Sequence, residues 1–401
     1  MNQARYICIT GASSGLGEAL ALHYAKQGDH LALLARRYDR LESLKGKLLQ
    51  AGLPPNPTAG INGEDINEDG GAGRYGIYFG REVVRGNKLE LSRSVVCAEI
   101  DAAERRLAEV RQRLLTDIRQ RYYDVLIAQE TVATAAELVS VADEAAEVSN
   151  QLLEAGEVAQ TSLLQARIEL QNARVVRRQA ENELLAARRK LAGLLGESDL
   201  SIDVVPGSSG NLLEPGGFEE TYDELLNNSP ELAALFAEVE QKWRRVRREA
   251  AEPIPNLTWQ TTIQYDMVGD DVIAGFQLGM PIPTLNRNQG AVCQARQQAI
   301  AAQRKAEKRA LALRQELTTA YEAYLDARLA VDAYETEIIP QAEETLELVR
   351  RGYRDGETDF LQYLTAQRSY SEFKLDYLRQ LNQVCRQSIA IRGLLLSGGL
   401  N

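Results

Sequence analysis

The residues of this chain that could do chemistry lie in three places. The first is Thr10-Gly11-Ala-Ser13-Ser-Gly15-Leu-Gly17, which follows the apolar run Tyr6–Thr10 and opens a helical pattern carrying Leu20, Leu22, Tyr24 and Ala25. Glycines between strand and helix let the backbone approach a pyrophosphate, and free N–H groups at the helix N-terminus hold it. A second strand, His30–Ala35, ends at Arg36 and Arg37, cations that suit a 2′-phosphate. The candidate nucleotide contacts are Gly11, Ser13, Gly15, Gly17 and Arg36, and the dinucleotide they suit is NADP. The second place is Tyr370 with Lys374, a Tyr-x3-Lys pair one helical turn apart in a long polar helical pattern, with no βαβ units around it. The third is a pair of glycine turns with carboxylates beside them: Gly156, Glu157 and Val158, and Gly356, Glu357, Thr358 and Asp359. Both histidines, His23 and His30, stand in the first thirty residues. The remainder therefore has no imidazole for general base work or metal ligation, which argues against an enzyme there. Four scattered cysteines, Cys8, Cys97, Cys293 and Cys385, form no CxxC pair, so neither a zinc site nor a disulfide scaffold is expected.

Composition narrows the classes further. A net charge of −11 disfavours nucleic acid, which needs a basic face. Hydrophobic residues make up 44% and charged residues 26%, which reads as soluble in bulk. No run of about 18 consecutive apolar residues suggests a transmembrane helix. Membrane barrel strands escape that test, because alternation averages out as polar. Met1–Tyr6 does not read as the start of a signal peptide.

The glycine turn, set between strand and helix, resembles the short-chain dehydrogenase/reductase family over residues 1–50. That family implies an Asn-Asn-Ala-Gly element and a catalytic Ser…Tyr-x3-Lys set on a full doubly wound sheet. The chain has no Asn-Asn-Ala-Gly. Fifty residues are also too few for a βαβ unit to bury both faces of its sheet. The expectation is an incomplete Rossmann-like fragment over 1–53 with vestigial nucleotide contacts and no cofactor.

Pro54-Pro55-Asn56-Pro57 then breaks the pattern, and the chain begins to repeat itself. Pro55-Asn56-Pro57-Thr58 matches Pro255-Asn256-Leu257-Thr258, Gly76-x3-Gly80 matches Gly275-x3-Gly279, and Asn87-Lys88 matches Asn286-Arg287. Leu126-x-Ala128 matches Leu325-x-Ala327, Gly156-Glu157 matches Gly356-Glu357, and Leu164-x-Ala166 matches Leu364-x-Ala366, all at an offset of 199 or 200. The expected organisation is repeat one over 54–200, a linker with short helices over 201–252, and repeat two over 253–401.

Each repeat reads as two strands followed by two helices. Leu257, Trp259, Thr261, Ile263 and Tyr265 alternate with polar residues, and Val272, Ala274, Phe276, Leu278 and Met280 alternate with Ile273, Gly275, Gln277 and Gly279. Period two over nine or ten residues suits a membrane barrel strand. The first copy predicts strands over Asn56–Asp65 and Arg74–Val83, with Tyr75, Ile77 and Phe79 on one face and an acidic, glycine-rich loop, Glu68–Gly73, between them. Leu89–Leu153 and Asn288–Tyr353 predict two rods, each with one apolar stripe and a length of roughly 100 Å at 1.5 Å per residue. Thr161–Leu195 and Phe360–Leu396 return as second helices. Four strands with apolar stripes cannot close a barrel in lipid, so copies must join to remove the edges.

This constellation, over residues 54–401, resembles the TolC-type outer-membrane efflux protein family. Pro255-Asn-Leu-Thr, Gly275-x3-Gly279-Met-Pro-Ile-Pro and Asn286-Arg-Asn288 point to its metal-cation subgroup. The resemblance implies a mainly α fold with a β-barrel portion. A homotrimer shares one twelve-stranded barrel in the outer membrane, continuous with a periplasmic tunnel of coiled helical hairpins. It also implies a passive export duct for metal cations or small toxic compounds, with a periplasmic adaptor and an inner-membrane pump as partners and no reaction of its own. The tips, Gly156, Glu157, Val158, Gly356, Glu357, Thr358 and Asp359, would meet the adaptor. Some members carry carboxylates six and nine residues after the second tip glycine, where this chain has Gln362 and Thr365. Two other readings carry their own expectations: an NADP-dependent reductase acting through the N-terminus, or a cytoplasmic coiled-coil scaffold.

Overall fold

A computed structural model describes residues 6–10, 30–34, 38–66, 73–196, 205–207 and 214–398. The chain divides into two compact units, residues 1–109 with 230–310, and residues 110–229 with 311–401.

In the first unit, β1 (Tyr6–Thr10) and β2 (His30–Leu34) pair in parallel, Tyr6 opposite His30 through Thr10 opposite Leu34. This is the strand pairing expected of a βαβ unit. The helix and glycine turn expected between them lie outside the described residues. Helix α1 (Tyr38–Ala51) follows, and its Lys47 lies 3.3 Å from Glu99.

The main sheet orders β3 (Thr58–Glu64), β4 (Arg74–Val83), β5 (Leu257–Asp266) and β6 (Asp271–Gly279), all antiparallel. The glycine-rich loop between β3 and β4 lies outside the described residues over 67–72. The register puts Ile61, Ile77, Ile263 and Ala274 side by side, and Ala59, Phe79, Thr261 and Phe276 in the next rank. Side chains alternate across a sheet, so paired residues share a face. One face therefore carries Ile61, Tyr75, Ile77, Phe79, Trp259, Ile263, Tyr265, Val272, Phe276 and Leu278. The other carries Asn62, Gly76, Gly80, Gln260, Thr262, Gln264, Gly275 and Gln277, with Tyr78 and Ile273 as its large apolar members. The apolar face is open: Ile61 is 84% exposed, Val272 69% and Phe276 69%. Glycines on the polar face admit neighbours closely, since a Cβ on Gly275 would stand 2.4 Å from Thr262 Oγ1.

Asn256, from the repeated Pro-Asn motif, ties the sheet to the helices. Its Oδ1 accepts from Lys88 Nζ at 3.1 Å and from the Arg85 N–H at 3.3 Å, and its Nδ2 donates to Glu82 Oε1 at 2.7 Å. Lys88 is 5% exposed and reaches Glu252 at 3.7 Å, so its ammonium is buried with partners.

The long helices begin alike. Before α2 (Lys88–Glu154), Asn87 stands at φ +53° and its carbonyl accepts from Leu91 N–H. Before α6 (Gln289–Ala333), Asn288 stands at φ +55° and accepts from Val292 N–H. Asparagine tolerates the left-handed conformation these starts need. The partner of Asn87 in the second repeat is therefore Asn288, rather than the Asn286 that the sequence pairing suggests.

The second rod is not continuous α-helix. A π turn, Tyr334–Ile338, separates α6 from α7 (Ile339–Arg354), and Ile339 N–H donates to Tyr334 O five residues back. Pro340 is the physical reason: it has no N–H and its ring would meet the carbonyl four residues before it, so the helix widens ahead of it. One stretch of α2 has the length and mean hydropathy, 1.4, of a membrane span, although no run of about 18 consecutive apolar residues marks it. Ala135 and Val125 of α2 are fully buried against protein.

In the second unit, α2, α3 (Gln160–Leu195), α7 and α8 (Phe360–Arg392) pack around Leu138, Ala142, Ala145, Ala166, Leu170, Leu346 and Leu364. Alanines on this stripe allow close helix approach. A second cluster joins Val125, Leu126, Leu191 and Val205. There the Gln129 amide exchanges two hydrogen bonds with the Val205 backbone, at 2.8 and 3.1 Å. Helix α4 (Phe218–Asn228) seats Phe218 edge-on to Tyr321, and Tyr321 OH donates to Gly216 O at 3.0 Å. In the first unit, α5 (Pro230–Ala251) is held to α6 by Glu231 and Arg309, 2.7 and 3.0 Å apart.

Candidate functional site

The two helix-to-helix turns have one design. After α2, Gly156 adopts φ +78°, its N–H donates to Leu153 O at 3.0 Å, and Glu157 N–H donates to Leu152 O at 2.9 Å. After α7, Gly356 adopts φ +75°, its N–H donates to Tyr353 O at 3.3 Å, and Glu357 N–H donates to Gly352 O at 2.7 Å. Both are Schellman ends, which satisfy the last carbonyls of a helix and reverse the chain. Ala159 and Asp359 then stand extended at the starts of α3 and α8.

The turns differ in what they present. Glu157, Glu357 and Asp359 are exposed, whereas Val158 and Thr358 are half-buried. Val158 packs against the cluster that contains Tyr353 and Phe360. Thr358 sits so close to α7 that a Cβ on Gly352 would stand 2.1 Å from its Oγ1. Asp359, at the start of α8, lies at the positive end of the helix dipole. The structure thus gathers Gly356, Glu357, Thr358 and Asp359 in one turn and Gly156, Glu157 and Val158 in the other. Gln362 and Thr365 are exposed on α8, without a carboxylate at either position.

Beneath the turns lies a polar fastening that the sequence reading missed. Tyr353 stacks on Tyr363, centroids 5.3 Å apart and planes at 14°, and tilts against Phe360 at 5.7 Å. Ser149 is fully buried, donates to Ala145 O at 2.8 Å, and so accepts from Tyr353 OH at 3.2 Å. Glu144 binds Arg350 at 2.9 Å and Arg354 at 3.1 Å. Burial, reinforced by the nearby Glu144 carboxylate, pushes the Tyr363 phenol up to about 12. The available signal was a departure between repeats: Leu152-Leu153 in one copy stands where the other has Gly352-Tyr353.

The other candidate residues find structural work or fall outside. Tyr370 OH and Lys374 Nζ both donate to Glu137, each at 3.2 Å, and so fasten α8 to α2. Gly11, Ser13, Gly15, Gly17 and Arg36 lie outside the described residues. Among the described residues, no group of three or more His, Cys, Asp or Glu is placed to hold a metal ion.

Comparison with known proteins follows the same division. The family described as outer membrane efflux protein matches residues 86–197 and 221–395. The chain belongs to the outer membrane efflux protein family. The cobalt-zinc-cadmium resistance protein CzcC of Cupriavidus metallidurans is 26% identical over 360 residues, 88% of this chain and 84% of its own length. Among solved structures, the outer-membrane channel OprN superposes with a TM-score of 0.74 at 20% identity, covering 90% of this chain and 86% of OprN. CusC, a transmembrane channel, superposes with a TM-score of 0.72 at 17% identity, covering 97% of this chain and 92% of its own. The fold is therefore that of TolC-like channels, mostly helical with an antiparallel sheet, and the efflux proteins of this family are outer-membrane channels rather than enzymes. Residues 5–57 match the short chain dehydrogenase family. The 11-beta-hydroxysteroid dehydrogenase-like 3 of Arabidopsis thaliana is 63% identical over 38 residues, 10% of this chain and 12% of its own length.

Proposed function

We propose that this efflux-family chain is the outer-membrane duct of a tripartite system, working as a homotrimer with a periplasmic adaptor and an inner-membrane pump. The observation that carries this reading is the four-stranded sheet. Its apolar face is open and its edge strands, β3 and β6, each have one neighbour among the described residues. In lipid each unpaired backbone group costs several kcal/mol, so such a sheet is stable only when closed. Three copies joined edge to edge make a twelve-stranded barrel, Ile61, Ile77, Ile263 and Phe276 outward and Gln260, Gln264 and Gln277 inward. The duct performs no reaction and takes its energy from the pump.

The tips, Gly156, Glu157, Val158, Gly356, Glu357, Thr358 and Asp359, are the adaptor-docking surface in this reading. The exported class is metal cations or small toxic compounds, supported by the likeness to a cobalt-zinc-cadmium resistance protein. Residues 1–53 are an incomplete Rossmann-like fragment joined to two efflux repeats, 54–200 and 253–401, with the segment 201–252 between them.

Conductance tests the reading. The full chain in a planar lipid bilayer gives stepwise ohmic currents, and replacing Ile263 on the outer face by Arg abolishes insertion. Absence of any conductance from a correctly folded preparation overturns it.

A further inference from the structure

The apolar face of the main sheet continues past the ends of its strands. Arg81, Trp259 and Leu278 pair in one rank of that face, beside the rank of Phe79 and Phe276. Trp259 tilts against Phe79, centroids 5.8 Å apart. The connection from β6 to α6, residues 280–287, then carries Ile282 at 77% exposure and Leu285 at 88%. Leu285 is the most exposed large apolar side chain among the described residues. The backbone of this connection is sparing with donors: Pro281 and Pro283 have no N–H. Thr284 N–H donates to Ile282 O at 2.9 Å, and Arg287 N–H donates to Gln289 Oε1 at 2.8 Å. A segment with few free donors loses little hydration on leaving water.

The two ends of the sheet carry opposite charges. At the hairpin end stand Glu64, Asp65, Asp266, Asp270 and Asp271. Arg74, the cation among the described residues there, is engaged with Asp65 and Asp266. At the helix end, Arg81, Arg85 and Arg287 are exposed, and their guanidinium groups make no hydrogen bond or ion pair among the described residues. The carboxylates Glu82, Glu249 and Glu252 of this end do not neutralise them. Glu82 accepts from Asn256, Glu249 accepts from Asn288, and Glu252 pairs with Lys88 and Arg248.

We infer that the helix end of the sheet is a site for anionic phospholipid. Arg81, Arg85 and Arg287 take the phosphates of the leaflet nearer the helices, and Trp259, Ile282 and Leu285 enter its acyl boundary. The length of β4 fits this depth. A strand of ten residues, tilted by about 40° as in membrane barrels, rises about 25 Å, the height of the apolar band. Arg81 and Arg85 therefore emerge at the edge of the band, and arginine stems lie along apolar surface while their heads reach the phosphates. Indole rings favour the same depth. Phosphatidylcholine also carries a phosphate, but its choline cancels the charge, so unpaired cations select a lipid of net negative charge. This inference rests on the membrane reading above and names the lipid class that the sheet selects.

The test reads Trp259 fluorescence in the full chain carrying Trp243→Phe, which leaves one indole. The protein is reconstituted in vesicles of phosphatidylcholine mixed with phosphatidylglycerol, one lipid or the other brominated in its acyl chains. Brominated phosphatidylglycerol is expected to quench Trp259 with a preference of about fivefold over brominated phosphatidylcholine, the gain from one arginine per lipid. Arg81→Gln with Arg85→Gln and Arg287→Gln is expected to remove the preference while brominated phosphatidylcholine still quenches. A parent without preference, or a folded triple variant that keeps it, overturns the inference and leaves the membrane reading standing. Quenching by neither lipid overturns both. Ile282→Asp with Leu285→Asp separates lipid from a second copy of the chain. The expected result is a weaker preference at unchanged trimeric mass. Loss of the trimer with the preference intact shows a neighbouring copy on this segment and contradicts the inference.

Discussion

Gly156 and Gly356 stand 200 residues apart in the same left-handed backbone, φ +78° and +75°, each followed by a glutamate whose N–H reaches the carbonyl four residues before the glycine. Two turns built alike on different sequences show that the repeat extends to hydrogen-bond geometry. The equivalence also says what the glycines are for. Nothing lies within 4 Å of a Cβ at either position, so space does not select them; the backbone conformation does.

Gly156→Ala and Gly356→Ala are each expected to destabilise the second unit by about 1–2 kcal/mol, the cost of an L residue in this region. Asn at either site costs less, because its short polar side chain tolerates the conformation. Urea unfolding followed by circular dichroism measures both. An alanine variant as stable as the parent contradicts the assignment.

The buried phenol of Tyr363 makes stability fall in alkali. Burial pushes its folded pKa up to about 12, above the ordinary phenol value of 10.0. The stabilisation is fully present below pH 10. It is lost as pH rises towards 12, because the unfolded chain releases the proton first. Tyr363→Phe is expected to flatten the fall of the unfolding midpoint between pH 10 and 12. An unchanged slope in the variant overturns the claim that this group is buried and protonated.

Asn256→Ala removes an acceptor from the ammonium of Lys88, which is 5% exposed. Stripping a partner from a buried charge costs more than an exposed hydrogen bond, so a loss of about 1–3 kcal/mol is expected. Asn56, its counterpart in the first repeat, is exposed, and Asn56→Ala is expected to be near neutral. Thermal unfolding of the two variants side by side checks the contrast; equal losses contradict it.

The two faces of the sheet respond oppositely to charge. Ile263→Arg places a cation on the apolar face, at a cost of about 2–4 kcal/mol near the bilayer midplane. Gln277→Arg places the same cation on the polar face and is expected to insert normally. Flotation of proteoliposomes separates the outcomes, and equal insertion of both variants contradicts the facing assignment.

Much of this architecture is legible in the sequence because its signals are periodic. Leu257–Tyr265 and Val272–Met280 alternate except at Thr261 and Ile273, and the structure gives strands Leu257–Asp266 and Asp271–Gly279. The rod Leu89–Leu153 emerges as Lys88–Glu154 because nothing in it breaks a helix. The misses are local. Pro340 sits inside the second rod, yet the apolar stripe continues past it, so periodicity hides the π turn that absorbs it. The pairing of Asn87 with Asn286 follows offset alone. Asn288 takes the role because the connection from β6 to α6 is longer than that from β4 to α2. At the tips, the glycines announce the turns. The Tyr353–Tyr363 stack and the Ser149 hydrogen bond join residues far apart in sequence, which no local pattern reveals.

Membrane fractionation tests the central claim most directly. The full chain is placed behind a secretory signal peptide, expressed in a Gram-negative host, and the envelope separated on a density gradient. The account expects the chain in the outer-membrane fraction, extractable only with detergent and trimeric in mass. A chain that remains soluble without detergent, as a monomer or dimer, contradicts it and leaves a coiled-coil scaffold in its place.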